Sequence, residues 1–326
     1  MKRPGSTRQG RRSLFVTGWR LAARLPESVV RGAMLVAADV AWRRRGKGVR
    51  RLEANLERVR PDADAREIRR LSRQGMRTYL RYYAEAFTLG QVTREQLVAR
   101  VRAEGTRAVL DEIEAGRAAL LALGHQGNWD LAGAWATVHV APVTTVAERL
   151  EPPEVFEEFV ALREGLGVTI IPLDAGSEVF RELVRSARSG GVLVPLLADR
   201  DLTERGLEVD LLGSRARVAA GPAALAVSTG AALFPVTLRH ERLRGARRRA
   251  AGTRWGLVLT FHPAVPAPTE GSRAEQVQAL TQAWVDVVGA DIAAHPTHWH
   301  MLQKVFVEDL DPARDAAARE PEGAQP

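Results

Sequence analysis

From about residue 113 the chain alternates short apolar runs with stretches of helical period, and few folds can bury that pattern. Apolar runs of five or six residues suit strands covered on both faces, and the helical stretches between them supply the cover. The outcome is an α/β fold with a central parallel or mixed sheet flanked by helices. Strands are expected at Ala118–Leu123, Val143–Ala147, Val168–Pro172, Val192–Ala198, Leu233–Arg239 and Gly256–Phe261. Helices are expected at Leu131–Val138, Glu154–Leu166, Ser177–Ser189, Val218–Ser228 and Arg273–Ala294. Glu241–Arg254, with six arginines, reads as a loop joining the last two strands.

The first third is different in kind. Ser13–Arg24, Val29–Arg45, a segment near Leu52–Val59 and Asp64–Leu89 all read as helices. Asp64 can cap the last of these, whose stripe through Ile68, Leu71, Met76, Tyr79, Tyr83 and Phe87 reads as core. Residues 1–60 carry 16 Lys and Arg against 4 Asp and Glu, whereas the whole chain is only +8, so the remainder is mildly acidic. A basic helical third attached to an acidic body suits a polyanionic surface. The expected organisation is a basic helical extension over residues 1–112, an α/β core over 113–308 and a disordered tail over 309–326. Two uncharged stretches, Leu131–Ala147 and Val218–Leu238, approach the length of a membrane span. Each reads as a helix followed by a strand, because turn residues such as Gly230 and Pro235 punctuate the second.

The chemistry gathers where Ala118–Leu123 runs into Gly-His-Gln-Gly-Asn-Trp-Asp (Gly124–Asp130) and then into a helix. A strand–turn–helix unit places His125 at a strand's carboxyl end, beside the free N–H groups of a helix start. His-x4-Asp spacing lets the first helical turn carry Asp130 back toward the imidazole. A carboxylate on one ring nitrogen fixes the tautomer and makes the other a general base. The spacing alone is weak, since a lone His can equally be a hydrogen-bonded core residue, and its neighbours decide the reading.

Those neighbours are Gly124–Asp130, Val146–Leu150, Phe159–Leu173, Leu196–Gly213, Gly221–Leu238 and His295–Gln303, in that order. Together the segments resemble the lysophospholipid and lipid A acyltransferase family, and within it most closely the actinobacterial phosphatidylinositol mannoside acyltransferases. The resemblance implies direct transfer from acyl-coenzyme A, a co-substrate, with no bound cofactor and no acyl-enzyme. It implies His125 as base, Asp130 as the carboxylate that orients it, and Asp199 as a second catalytic carboxylate. Asp199 is a departure, because relatives often carry the longer Glu there. Asn128, Trp129, Glu148, Arg149, Arg163 and Arg200 are implied to bind substrate, the arginines through phosphate groups. The acceptor implied is a phosphoinositide glycolipid. Another lipid acceptor, or a non-enzymatic binder of anionic surfaces, remains an alternative.

Other chemistries fit poorly. The chain has no cysteine, which removes thiolate catalysis and fits a reducing compartment. No Gly-x-Ser-x-Gly elbow occurs, and Gly165-Leu166-Gly167 precedes its strand and lacks a third glycine. His295, His298 and His300 bunch without an evident fourth ligand, so no metal is expected. No nucleic-acid module is recognisable. Without a secretory signal, and with a basic amphipathic N-terminal region, the expected location is the cytoplasmic face of the plasma membrane, held peripherally.

Overall fold

The computed structural model describes residues 16–149, 153–173, 178–201 and 206–310. The expected tail therefore lies almost wholly outside the described residues, as does the beginning of the first expected helix, of which 16–22 are helical.

Seven strands form one mixed sheet. In chain order they are β1 (Val101–Glu104), β2 (Ala119–Leu123), β3 (Val143–Glu148), β4 (Val168–Leu173), β5 (Leu193–Leu197), β8 (Ala232–Arg242) and β9 (Trp255–Phe261), and β6 (Leu207–Leu211) and β7 (Ser214–Val218) make a separate hairpin. The spatial order is β1-β9-β8-β2-β5-β3-β4. β8, β2, β5, β3 and β4 run parallel, and β9 turns back against β8.

β2 lies in the middle with every residue buried, which explains its unbroken apolar run. Leu120 and Ala122 pack on one side with Leu183, Leu225, Trp284 and Val288, from α8 (Glu178–Ser189), α9 (Gly221–Thr229) and α11 (Arg273–Ala294). Ala119, Leu121 and Leu123 face the other way, against Leu97, Val109, Leu131 and Phe156. These belong to α4 (Arg94–Arg100), α5 (Arg107–Glu114), α6 (Trp129–His139) and α7 (Pro153–Gly165). The alternation along a single strand thus divides the core into two layers.

The N-terminal helices are α1 (Glu27–Arg44), α2 (Lys47–Val59) and α3 (Ala65–Thr88), packed through Ala38, Leu52, Leu56, Leu71 and Met76. Asp64 caps α3 by accepting from the Glu67 amide at 2.7 Å. Asp39 on α1 takes Arg73 and Arg77 of α3 at 3.0 and 2.6 Å, and those two guanidinia hold its carboxyl well below the usual range.

Three expectations change. The sheet begins ahead of residue 112, because Val101–Glu104 pairs with β9; so short and polar an edge strand gives no apolar run to read. The β6–β7 hairpin was not foreseen as a separate sheet. The arginine-rich connection is not a plain loop: β8 extends to Arg242 and Gly245–Ala251 forms a helix, α10. Both long uncharged stretches do resolve into a helix and a strand, and among the described residues no helix is long and apolar enough to cross a membrane.

The helical region is latched to the core by Asn55 of α2, buried, whose amide donates to the carbonyls of Met301 and Gln303, each at 2.9 Å. Asn55→Ala strands both acceptors in the interior and should cost about 1–3 kcal/mol, read as a lower urea midpoint with an unchanged slope.

Candidate functional site

β2 and β5 are parallel neighbours with Leu123 opposite Leu197, and the Ala198 amide donates to the Leu123 carbonyl at 2.9 Å. Two residues beyond each strand end, His125 and Asp199 therefore stand side by side. The Asp199 carboxylate accepts from His125 Nδ1 at 2.5 Å, from the His125 amide at 2.9 Å and from the Trp299 indole N–H at 2.7 Å. Gly124 makes room for this, since a Cβ there would come within 3.1 Å of Asp199 Oδ2. Burial alone would push the Asp199 carboxyl up. The His125 charge, the two His125 hydrogen bonds and the Trp299 indole outweigh it and hold the group below the ordinary carboxylate range.

Asp130 does something else. Its carboxylate accepts from Arg163 Nε at 2.7 Å and from the Tyr82 hydroxyl at 2.8 Å, so it fastens α7 and α3 to the first turn of α6. The expectation that Asp130 orients the imidazole is corrected: Nδ1 is engaged by Asp199, from a different strand. Burial would loosen the Arg163 proton, but the Asp130 charge and the neighbouring Tyr82 raise its pKa above the usual arginine value. Burial, then the same Asp130 charge, keeps the Tyr82 phenol protonated.

Asn128 is also corrected. It is fully buried, accepting from the Leu131 amide at 2.9 Å as the cap of α6 and donating to Glu85 at 2.8 Å, so it positions the turn instead of touching substrate. Behind it the Glu85 carboxylate also accepts from His240 Nε2 at 3.2 Å. Gly127 adopts φ +56°, and a Cβ there would lie 2.9 Å from Leu238, so the turn has no room for another residue.

A cavity of about 350 Å³ opens at His125. Its polar end carries Asp130, Arg163, Glu148 and Arg200, the last two paired at 3.1 Å. Trp129 borders it, its ring centre 4.1 Å from that of Tyr82 and 5.7 Å from that of His125. The apolar end passes between α6 and the sheet, where Ala132, Gly133 and Ala136 leave space opposite Leu121, Leu193 and Phe261. Arg149 lies outside the lining, exposed, its guanidinium 5.5 Å from the Phe156 ring centre.

Sequence reasoning missed part of the wall. Tyr79, Tyr82 and Tyr83 line the cavity, although the stripe holding Tyr79 and Tyr83 reads as core. The available signal was that all three tyrosines of the chain fall within five residues, more hydroxyls than an apolar helix face needs. His300 was missed as well. Its amide donates to the His125 carbonyl at 2.7 Å, and among the described residues neither of its buried ring nitrogens has a partner. Burial, then the neighbouring His240, His298 and His125, holds that ring neutral.

The model of the bacterial lipid A biosynthesis acyltransferases matches residues 4–308. The chain belongs to that family. Among curated proteins it is similar to the phosphatidylinositol mannoside acyltransferase of Mycolicibacterium smegmatis, 36% identical over 304 residues that cover 93% of each protein. It is 38% identical over 311 residues to the protein of that name from Mycobacterium tuberculosis, covering 94% of this chain and 91% of the relative. A crystal structure of the 1-acyl-sn-glycerophosphate acyltransferase PlsC from Thermotoga maritima aligns over 68% of this chain and 87% of that one. The TM-score is 0.34 and the identity 16%, too slight a likeness to bear on fold or reaction.

For this acyltransferase-family site the direction of the Asp199 shift gives a pH signature. A carboxyl whose folded pKa lies below its unfolded value, about 3.9, contributes stability that is present above that value and lost as pH falls through the folded one. The destabilisation caused by Asp199→Asn should therefore be full from pH 7 down to about 4 and shrink only below it. Urea unfolding of both proteins across that range checks this, and convergence already near pH 6 would contradict a carboxylate held down by its donors.

Proposed function

We propose that the protein transfers a long fatty acyl chain from acyl-coenzyme A to a mannose hydroxyl of a phosphatidylinositol mannoside, with His125 as general base. The observation that carries this reading is the junction of the His125–Asp199 pair with a cavity that is polar at His125 and apolar beyond it. With Nδ1 donating to Asp199, Nε2 presents its lone pair to an incoming hydroxyl. The base removes the hydroxyl proton as the oxygen attacks the thioester carbon. The tetrahedral intermediate then collapses, expelling the coenzyme thiolate, which recovers the proton from the imidazolium. An ester and a free thiol result, and no covalent enzyme intermediate is needed.

The apolar end suits the acyl chain, since each buried methylene is worth about 0.8 kcal/mol. Arg163 and Arg200 suit the acceptor's phosphodiester, and Trp129 with the tyrosines suits a sugar ring. The names of the relatives support a mannosyl phosphoinositide over a lysophospholipid. In this scheme Asp199 is the catalytic carboxylate, and Asp130 is a positioning residue that acts through Arg163.

His125→Ala should lower turnover at least ~100-fold with the fold intact, the usual contribution of a placed base. The assay offers long-chain acyl-coenzyme A with equal phosphatidylinositol mannoside and lysophosphatidic acid. The mannoside should be acylated. A preference for lysophosphatidic acid would keep the base and overturn the acceptor, whereas full activity of His125→Ala would overturn the mechanism.

The lipid substrates call for a membrane site, which we place at the cytoplasmic face of the plasma membrane. Val29, Val36 and Val40 recur along one side of α1, exposed by 53%, 64% and 36%, with Leu35 and Leu21 also exposed. Basic residues Arg43 and Arg44 follow in the last turn. An apolar strip edged by arginines suits peripheral seating in an anionic interface. Vesicle flotation should show binding that rises with anionic lipid and falls with salt, and Val36→Asp should weaken it. Equal binding to neutral vesicles would sink the electrostatic half of this idea.

A further inference from the structure

β8 flanks β2 on the side opposite β5 and, being parallel to β2, continues past the same end of the sheet. Leu238 packs against the His125 turn at Gly127, and the residues after it, Arg239 to Arg242, extend beyond the turn on the side away from Asp199 and Arg200. There they meet α3 and β9. The Arg81 guanidinium lies 3.6 Å from the ring centre of Trp255, and that of Arg242 lies 6.0 Å from it. His298 is close enough to feel both Arg81 and Arg239.

Positive charge accumulates here without matching negative charge. Among the described residues, no carboxylate lies within ion-pair reach of Arg81 or Arg242, whereas Arg239 points to the opposite face of β8, toward Glu104 at 3.9 Å. Nearby carboxylates are committed elsewhere: Glu85 to His240 and Asn128, Glu27 to Arg31 and Arg100, Glu241 to Arg247. The groups register the crowding. Burial, only partly offset by Glu85, brings Arg81 down to about 10, and Arg31 adds to the fall. Burial, followed by His240, Arg81, His295 and Arg239, brings His298 down to about 3. A half-buried guanidinium stacked on an indole, with Glu85 acting on it only from beyond ion-pair reach, is costly unless an anion completes it. The stacking supplies part of the compensation and leaves the N–H edges available to an acceptor.

We infer that Arg81 and Arg242, which flank the Trp255 ring, form a binding site for phosphate ester groups, separate from the Arg163 and Arg200 end of the cavity. The ligand is the nucleotide part of the acyl thioester donor. That choice rests on the acyl-transfer reading, because the two substrates must converge on His125 and the β5 side is taken by the acceptor. A phospholipid headgroup offers the same phosphate chemistry, and the experiment separates the two.

Binding is measured without turnover, by calorimetry with free coenzyme A and by flotation with phosphatidylinositol vesicles. Wild type is compared with Arg81→Gln, Arg242→Gln and the double variant, all checked by circular dichroism. Each single change should weaken coenzyme A binding roughly tenfold, the loss expected for one charge-assisted contact, and flatten its salt dependence while vesicle binding holds. Weakened vesicle binding with coenzyme A unaffected would keep the phosphate site and move its ligand to the membrane. Folded Arg242→Gln and Arg81→Gln proteins that bind both probes as wild type does would overturn the site. A failure of the acyl-transfer reading would appear instead in the turnover of His125→Ala, independently of these affinities.

Discussion

A carboxylate removed from water as fully as Asp199 survives as an anion only if its oxygens are met by donors. Here there are three: an imidazole N–H, a peptide N–H and an indole N–H, all within 2.9 Å. The first two come from His125 itself, so the same contact that keeps Asp199 ionised fixes the ring's tautomer and direction. The third comes from Trp299, itself fully buried. None of the three is local in sequence. They meet because β2 and β5 pair in parallel with a register that sets their ends level, and because the segment after α11 folds back over the turn.

The two acidic residues near His125 are thereby given different work. Asp199 is dry and bound to the ring. Asp130 is the joint between three helices, neutralising Arg163 and accepting from Tyr82, so the cation at the mouth of the cavity is held in place by a carboxylate that does not touch His125. Asn128 and Glu85 continue the same logic inward, where the Asn128 amide donates to Glu85 of α3 and Glu85 accepts in turn from His240 of β8. These hydrogen bonds hold the turn in place, and the apolar room of the cavity comes from what is missing on α6, where Ala132, Gly133 and Ala136 carry little or no side chain.

How much of this is legible in the sequence follows from how local each feature is. The buried strands announce themselves because unbroken apolar runs such as Ala119–Leu123 admit few other readings, and α3 because Asp64 and its stripe mark its start and inner face. The short edge strand Val101–Glu104 and helix Gly245–Ala251 do not, since their burial depends on neighbours far along the chain. His125 is legible through its surrounding motif. Which carboxylate holds it is not: sequence proximity points to Asp130, while strand register selects Asp199. Asn128 likewise looks like a side chain offered to a ligand until its cap and its bond to Glu85 are seen. The tyrosines of α3 carry the reverse lesson, for a stripe at helical spacing tells which face is covered but not whether protein or an open cavity covers it.

The antiparallel bridge between Gln126 and Trp299, with the His300 amide bound to the His125 carbonyl, ties the turn to a segment far downstream. The Asp199 bonds to His125 and Trp299 span 74 and 100 residues. Contacts of such separation close only after the loops between them have been ordered, so they come late in folding. On the ribosome the order is stricter still. The histidine emerges early, but its carboxylate follows only with β5 and the indole only after α11, so the His125–Asp199–Trp299 contacts assemble only when nearly the whole chain is out. The completion of the chain thus completes the pair, and a partly made or clipped protein lacking the Trp299 segment would leave the Asp199 carboxylate without its indole donor.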